Sequence, residues 1–324
     1  MKQESLERFR CPECHGELEY EPLADNSSAV LQGRLVCEQC KAIFAIHNGV
    51  PRFVPDSGYT ESFGFQWNLH RQAQLDSYSG LPVSRSRLFS VSEWNEDLGG
   101  QTVLECGSGA GRFTEVLLQT KAQVYSFDYS SAVDANFKNN GAQPNLTLFQ
   151  ASIYEIPLPQ ASFDKVMCLG VIQHTPDPAL SFECLSKMVR PGGELVIDVY
   201  ADTLAARLQW YYFLRPITRR MNKDTLYKVI SKWTPRLIPL AKFFRAVAGR
   251  AGARLIPIVE FSYLGLSPEL NKEWAILDTF DQYSPAHDHP QTEATVQRWF
   301  EAAGFAAIKV RRGPNGVVGK GIKI

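Results

Sequence analysis

The sequence predicts an α/β protein: a doubly wound, mostly parallel sheet, with a small β unit in front and a helical insertion late in the chain. Three observations predict it. From Val103 onward, apolar strand-length runs alternate with helical segments. The first of these strands runs straight into Glu105-Cys106-Gly107-Ser108-Gly109-Ala110-Gly111, a glycine loop between strand and helix. Two C-x-x-C pairs stand near the amino terminus. At 324 residues, with 44% hydrophobic and 11% aromatic side chains, the chain is globular in composition and long for one domain. No apolar run approaches the ~18 residues needed to cross a bilayer. Met1 to Glu7 contain no apolar segment of a signal peptide, so a cytoplasmic location with free thiols is expected, peripheral membrane contact remaining open.

In chain order, Cys11-Pro12-Glu13-Cys14 and Cys37-Glu38-Gln39-Cys40 come first, with 22 residues between the pairs. Each pair can fold into a tight knuckle presenting two thiolates, and two knuckles complete a tetrahedral zinc site. Disulfides are the alternative, disfavoured under reducing conditions. All four positions are cysteine, so the expected site is closed and structural. Gly16 to Val36 read as a hairpin and Ile43 to Val54 as further short strands; His15 reads as a surface residue. This unit is assigned residues 1–55. A connecting region, 56–100, follows: the aromatic run Tyr59, Phe63, Phe65, Trp67 leads into a helix, and Leu81-Pro82-Val83-Ser84 caps another over 85–97.

Glycine between strand and helix gives the backbone freedom to approach a cofactor closely. A dinucleotide fingerprint would need its third glycine at position 112, which is Arg112. A second strand, Val124 to Phe127, ends in Asp128, 21 residues after Gly107. An acid there can accept both ribose hydroxyls of a nucleoside. Leu146 to Gln150 read as a third strand and Phe163 to Leu169 as a fourth, running into Gly170-Val171-Ile172-Gln173-His174-Thr175-Pro176. The turn Pro191-Gly192-Gly193 precedes a fifth, Glu194 to Asp198. Cys106, Cys168 and Cys184 read as buried small hydrophobes.

The E-x-G-x-G-x-G run, Asp128, the 162–178 stretch and the Pro-Gly-Gly turn together resemble the ordered motifs of class I S-adenosylmethionine-dependent methyltransferases, of the type 11-like kind. Ile46 to Phe53 resemble the end of the small zinc-ribbon proteins that partner and activate such enzymes. The resemblance implies a Rossmann-like seven-stranded sheet with an antiparallel last strand, and S-adenosylmethionine as cofactor beside a structural Zn2+. It implies cofactor binding by Glu105, Gly107, Ser108, Gly109, Gly111, Asp128, Tyr129, Ser152, Ile153 and Leu169. The family usually carries an acid after the third strand, contacting adenine; this chain has Ser152, whose hydroxyl accepts without charge. Residues 56–100 would then form a lid, with Tyr59, Phe63 and Trp67 shielding the sulfonium and Arg71 holding the methionine carboxylate; helix packing is the alternative.

The methyltransferase domain is assigned residues 101–200 and 275–324, interrupted by an insertion over 201–274. Within 201–256 stand twelve Lys or Arg against Asp202 and Asp224, interleaved with aromatics such as Trp210, Phe213 and Trp233. An anionic substrate, an anionic membrane surface, RNA, or a merely solvated surface would each account for this. Leu277 to Pro290 read as a loop at the mouth of the site, in which His287, Asp288 and His289 form either a metal site or a capped turn. Thr292 to Gly304 make an amphipathic helix before the last strands, 306–312 and 316–323.

A methylsulfonium is a strong electrophile, so an enzyme using it must align a nucleophile and remove a proton. His174 is the expected general base and His287 the second candidate, with a structural role for His174 as the alternative. The Asn-Pro-Pro-aromatic motif of amino-methylating enzymes is absent; the run reads Gly170-Val171-Ile172-Gln173. The expected function is methyl transfer to oxygen of a small molecule or glycan, including phosphate-bearing or lipid-linked forms. An RNA methyltransferase and a non-catalytic cofactor-binding scaffold are the alternatives. A net charge of zero weighs against RNA, and the basic insertion for it. Oligomeric state is not legible.

Overall fold

Four short strands, β1 (Leu18–Pro22), β2 (Gly33–Cys37), β3 (Ile43–His47) and β4 (Val50–Pro51), pair antiparallel in sequence order to form the amino-terminal ribbon. The computed structural model describes residues 3–23, 32–55, 60–141 and 143–324; Tyr59 lies outside the described residues. After the ribbon come α1 (Glu61–Leu69), α2 (Asp76–Ser79) and α3 (Val83–Ser92). The helix expected over 85–97 stops at Glu93, whose φ of 56° puts it in the left-handed region.

The main sheet is built from β5 (Thr102–Cys106), β6 (Gln123–Asp128), β7 (Leu146–Gln150), β8 (Phe163–Leu169), β9 (Val189–Val199), β10 (Phe305–Arg312) and β11 (Val317–Lys323). Its order is β10-β11-β9-β8-β5-β6-β7. β5 through β9 pair parallel, and β11 is antiparallel to both its neighbours. Only β11 therefore runs against the rest. α4 (Arg112–Leu118), α5 (Ala132–Asn140), α6 (Pro178–Met188) and α11 (Glu293–Ala302) make the connections. The Pro-Gly-Gly turn is absorbed into β9, which bulges there, its register against β8 shifting between Phe163 and Lys165. β5 lies centrally, with the chain winding outward to β7 and then crossing back to β8. The carboxyl ends of β5 and β8 thus form the switch point where such sheets open a crevice.

The ribbon shares a core with this sheet. Leu6, Phe9, Leu35, Phe44, Ile46 and Phe53 pack in one apolar cluster with Tyr125, Phe127 and Phe149. The backbone N–H of Phe53 donates to the carbonyl of Gln150 at 2.9 Å, so the segment after β4 covers the outer edge of β7. The boundary expected at residue 55 separates two sheets but not two cores.

The insertion comprises α7 (Leu204–Arg207), α8 (Trp210–Thr218), α9 (Lys223–Ala253) and α10 (Pro268–Tyr283). α9 leaves helical geometry at Ala248 and Gly249. Short polar caps start these helices: Asn222 accepts from the N–H groups of Asp224 and Thr225, and Ser267 from that of Leu270, with Pro268 in the first turn. The boundary expected at 274/275 falls inside α10. Leu277 to Tyr283, expected as loop, are its last two turns, and the loop proper begins at Ser284.

Candidate active site and metal centre

Gly107, Gly109 and Gly111 have φ of 75°, 53° and 88°. A Cβ on Gly107 would stand 2.3 Å from Val171, and one on Gly111 2.2 Å from Asn136 of α5. One on Gly109 would press the indole of Trp67 at 3.3 Å. The loop is therefore confined from both sides and cannot take larger residues. Beneath it, Glu105 is buried and accepts from the hydroxyls of Thr114 at 2.5 Å and Ser126 at 2.7 Å. Burial pushes its carboxyl up to about 7.

Above the loop lies a cavity of about 1330 Å³. Gly107, Ser108, Gly109, Asp128, Tyr129, Ile153, Leu169 and His174 line it together, as do Phe63 and Trp67 of α1. Glu105 and Gly111 do not line it; they hold the loop from behind. Ser152 is also off the wall, its hydroxyl accepting from the N–H of Tyr154 at 3.2 Å. Arg71 is directed elsewhere: its guanidinium donates to Asn139 at 2.7 Å, and Asn139 in turn donates to the carbonyls of Arg71 and Ala110. Arg71 thus braces α5 under the loop, while Arg87 and Arg112 are among the arginines that line the cavity.

Asp128 accepts from the N–H of Gly109 at 2.9 Å and from the N–H and hydroxyl of Ser130 at 2.8 and 2.7 Å. A carboxylate offers about four lone-pair sites, and these bonds hold Asp128 in place at the end of β6 beside the loop. Ser108 Oγ is buried on the loop without a protein partner. Confined glycines, an uncommitted buried hydroxyl and an acid at the second strand end fit a nucleoside-bearing cofactor such as S-adenosylmethionine.

His174 sits in a 3-10 turn, Ile172–His174, just past β8. Its Nδ1 lies 3.1 Å from the backbone carbonyl of His287, which fixes Nδ1 as the protonated nitrogen of the neutral ring. Nε2 is buried and has no protein partner. The ring meets Phe63 and Tyr200 at 5.2 and 5.3 Å between centroids. His287 itself is off the cavity wall: its carbonyl also accepts from Arg215, its ring stacks on His289, and burial lowers its pKa. Asp288 pairs with Arg215 inside the fold, which accounts for this acid without a metal.

Residues of α10 that the sequence reading placed in a loop form the opposite wall. Asp278 accepts from Gln74 at 2.9 Å, and Gln74 accepts from Arg112. Asp281 accepts from Gln66 at 2.9 Å and from the Tyr200 hydroxyl at 3.4 Å. Enclosure and the neighbouring Asp281 push Asp278 up to about 7, while desolvation beside Arg87 brings Arg112 down to about 10. Trp274, Asp278 and Asp281 lie at helical spacing, and that periodicity was the available signal. Arg87, paired with the buried Asp198 at 2.9 Å, had none. The outer part of the cavity is roofed by the insertion, including Trp210, Arg250 and Arg254. Of its twelve cations, Arg207, Arg215, Lys223 and Arg245 pair with Asp202, Asp288, Glu61 and Glu260. The other eight form no ion pair among the described residues.

In the ribbon, ligand atoms of Cys11, Cys14, Cys37 and Cys40 all lie within 4.8 Å of one another. The Cys11–Cys40 and Cys14–Cys37 sulfurs are 3.5 and 3.4 Å apart. Tetrahedral zinc with Zn–S near 2.3 Å spaces its sulfurs about 3.8 Å apart, so the cluster is of the right size. The two turns match. His15 and Lys41, each just after the second cysteine of a pair, have φ of 61° and 63° and donate back to the carbonyls of Cys11 and Cys37. Among the described residues this is the one cluster of metal-ligand type.

Residues 104–197 match the family described as methyltransferase domain, and residues 6–49 the family described as Trm112p-like protein. An uncharacterised protein of Synechococcus sp. is 30% identical over 226 residues, covering 65% of this chain and 48% of that one. A ubiquinone biosynthesis O-methyltransferase of Xylella fastidiosa is 29% identical over 174 residues, 48% of this chain and 70% of that one. A tRNA U34 carboxymethyltransferase of Campylobacter curvus is 30% identical over 136 residues, 37% and 46% of the two chains. The chain thus spans about half the length of the first and third of these relatives.

Proposed function

We propose that this chain, a methyltransferase domain with a Trm112p-like domain fused in front of it, transfers methyl from S-adenosylmethionine to an oxygen of a small-molecule or glycan-type acceptor, with His174 as general base. The observation that carries the reading is the hydrogen bond from His174 Nδ1 to the carbonyl of His287 at 3.1 Å. It leaves the Nε2 lone pair as the one acceptor on a ring that lines the cavity.

The bound cofactor supplies an electrophilic methyl group. Gly107, Ser108 and Gly109 would hold it by backbone and hydroxyl, Asp128 and Tyr129 would serve its ribose, and Ile153 and Leu169 its base. Arg112, on the wall, takes the carboxylate role expected of Arg71. Glu105 and Gly111 position the loop, and Phe63 and Trp67 exclude water from above. His174 Nε2 takes the proton of the acceptor hydroxyl, and the His287 carbonyl steadies the imidazolium that results. Beyond the loop the cavity continues to Arg250 and Arg254, which suit a phosphate on the acceptor, carried by a sugar or by a lipid-linked glycan. The likeness to a ubiquinone biosynthesis O-methyltransferase supports oxygen. The unpaired cations and the tRNA-modifying relative favour RNA as the second reading.

Incubating the chain with methyl-labelled S-adenosylmethionine and a fractionated cell extract tests this. Label in the polar or lipid-extractable small-molecule fraction is expected, and label confined to RNA would replace the first reading with the second.

A further inference from the structure

The insertion leaves an outer face that the methyl-transfer reading does not use. Of twenty large apolar side chains exposed among the described residues, twelve lie between Leu204 and Leu255. Leu204, Leu208, Phe213, Ile217, Phe243 and Val247 are each between 60 and 77% exposed. Their placement is regular. On α8, Tyr211 and Arg215 face inward while Phe213 and Ile217, one turn apart, face out. On α9, Leu226, Ile230, Thr234 and Ile238 form the buried stripe. Val229, Trp233, Leu240, Phe243 and Val247 run at helical spacing down an exposed side beside Lys228, Lys232 and Arg236.

We propose that this face seats the protein on an anionic phospholipid bilayer, with the cavity mouth turned toward the lipid. Three occupants compete for a surface that is both cationic and aliphatic, and charge separates them. A second copy would cover the apolar side chains, but would bring two sets of the unpaired Lys228, Lys232 and Arg236 together. RNA would neutralise the cations, but it offers no partner to exposed Leu, Ile and Val, which neither stack nor hydrogen-bond. An anionic bilayer interface answers both, headgroups to the cations and acyl chains to the apolar stripe. No helix among the described residues is long and apolar enough to cross a membrane, so the contact lies in the interface plane. The mouth belongs to the same face: Trp210 and Arg254 line the cavity, and Trp210 Nε1 donates to the carbonyl of the exposed Leu255 at 2.9 Å. An amphiphilic acceptor would therefore enter from the bilayer, a consequence that rests on the methyl-transfer reading, whereas the docking itself does not.

The test is co-sedimentation of the full chain with vesicles of phosphatidylcholine mixed with phosphatidylglycerol, or of phosphatidylcholine alone, across a salt series. Binding to the mixed vesicles is expected, and about tenfold weaker binding to the neutral ones. Lys228→Glu with Lys232→Glu is expected to lower binding more than about tenfold at low salt. Phe213→Ser with Ile217→Ser removes the salt-resistant part. Calorimetry of S-adenosylmethionine binding by each variant shows that the fold is intact. No sedimentation with either vesicle, or sedimentation indifferent to both variants, overturns the proposal. So does retardation of a short RNA lost only in the charge variant, or a dimer lost only in the apolar one. Vesicle binding without methyl transfer to any acceptor would leave the docking standing and remove the enzymatic reading.

Discussion

Phe9 of the ribbon meets Phe149 of the central sheet edge to face, ring centroids 5.2 Å apart, with both side chains fully buried. An edge-to-face pair at that distance joins the metal-bearing unit to the third strand of the cofactor fold. Phe9→Ala is expected to cost about 3–5 kcal/mol of stability, for the cavity left behind as well as the lost burial. All six tryptophans, from Trp67 to Trp299, lie outside residues 1–55, so their fluorescence reports the fold beyond the ribbon. Stripping metal with a strong chelator is accordingly expected to lower the denaturant midpoint read by tryptophan. A midpoint unchanged by chelation would mean that the two sheets unfold independently.

Asp128 ties the glycine loop to the second strand before any cofactor arrives, through its bond from Gly109. Asp128→Ala is expected to weaken S-adenosylmethionine binding by roughly 1.5–3 kcal/mol, because it removes a charge-assisted acceptor and slackens the loop. Asp128→Asn, which keeps the shape, should lose less. Titration calorimetry on the three proteins decides the matter, and equal affinities would remove Asp128 from the binding site.

His174→Gln keeps a donor toward the His287 carbonyl but supplies no base. Turnover is expected to fall 10²–10⁴-fold, with cofactor affinity unchanged. His287→Ala retains the carbonyl that orients His174 and should be far milder. Comparing single-turnover rates of the two variants separates the roles; similar losses in both would assign the effect to local structure.

Asp278 supplies a pH signature. Its carboxyl, ordinarily near 3.8, is held up to about 7 by enclosure. Between those values the unfolded chain releases a proton that the folded chain keeps, so this group's contribution is greatest in acid and is lost as pH rises to about 7. The full effect is at most about 4 kcal/mol. Asp278→Asn removes it, so the melting temperature of the variant should gain on the parent between pH 5 and pH 8, without cofactor. A constant difference across that range would show that Asp278 is ionised throughout.

The sequence by itself determined what depends on local spacing. Glu105, the three glycines and Asp128 are read within a few dozen residues, because a strand, a tight turn and a helix impose backbone geometry on their neighbours. The knuckles are equally local: Cys-x-x-Cys followed by a residue with positive φ closes on itself. Tertiary structure decided what depends on partners far along the chain. Arg71 stands beside the lid aromatics in sequence, yet Asn139 captures it, and Arg112 is left on the wall. His174 is visible as a histidine after the fourth strand; that its Nδ1 is engaged depends on a carbonyl 113 residues away. Four of the insertion's cations are neutralised, three of them by acids outside the 201–256 count, which no local tally can register. Local spacing fixes φ and ψ, whereas charge pairing and burial belong to whichever surfaces the chain brings together, and only the folded structure names them.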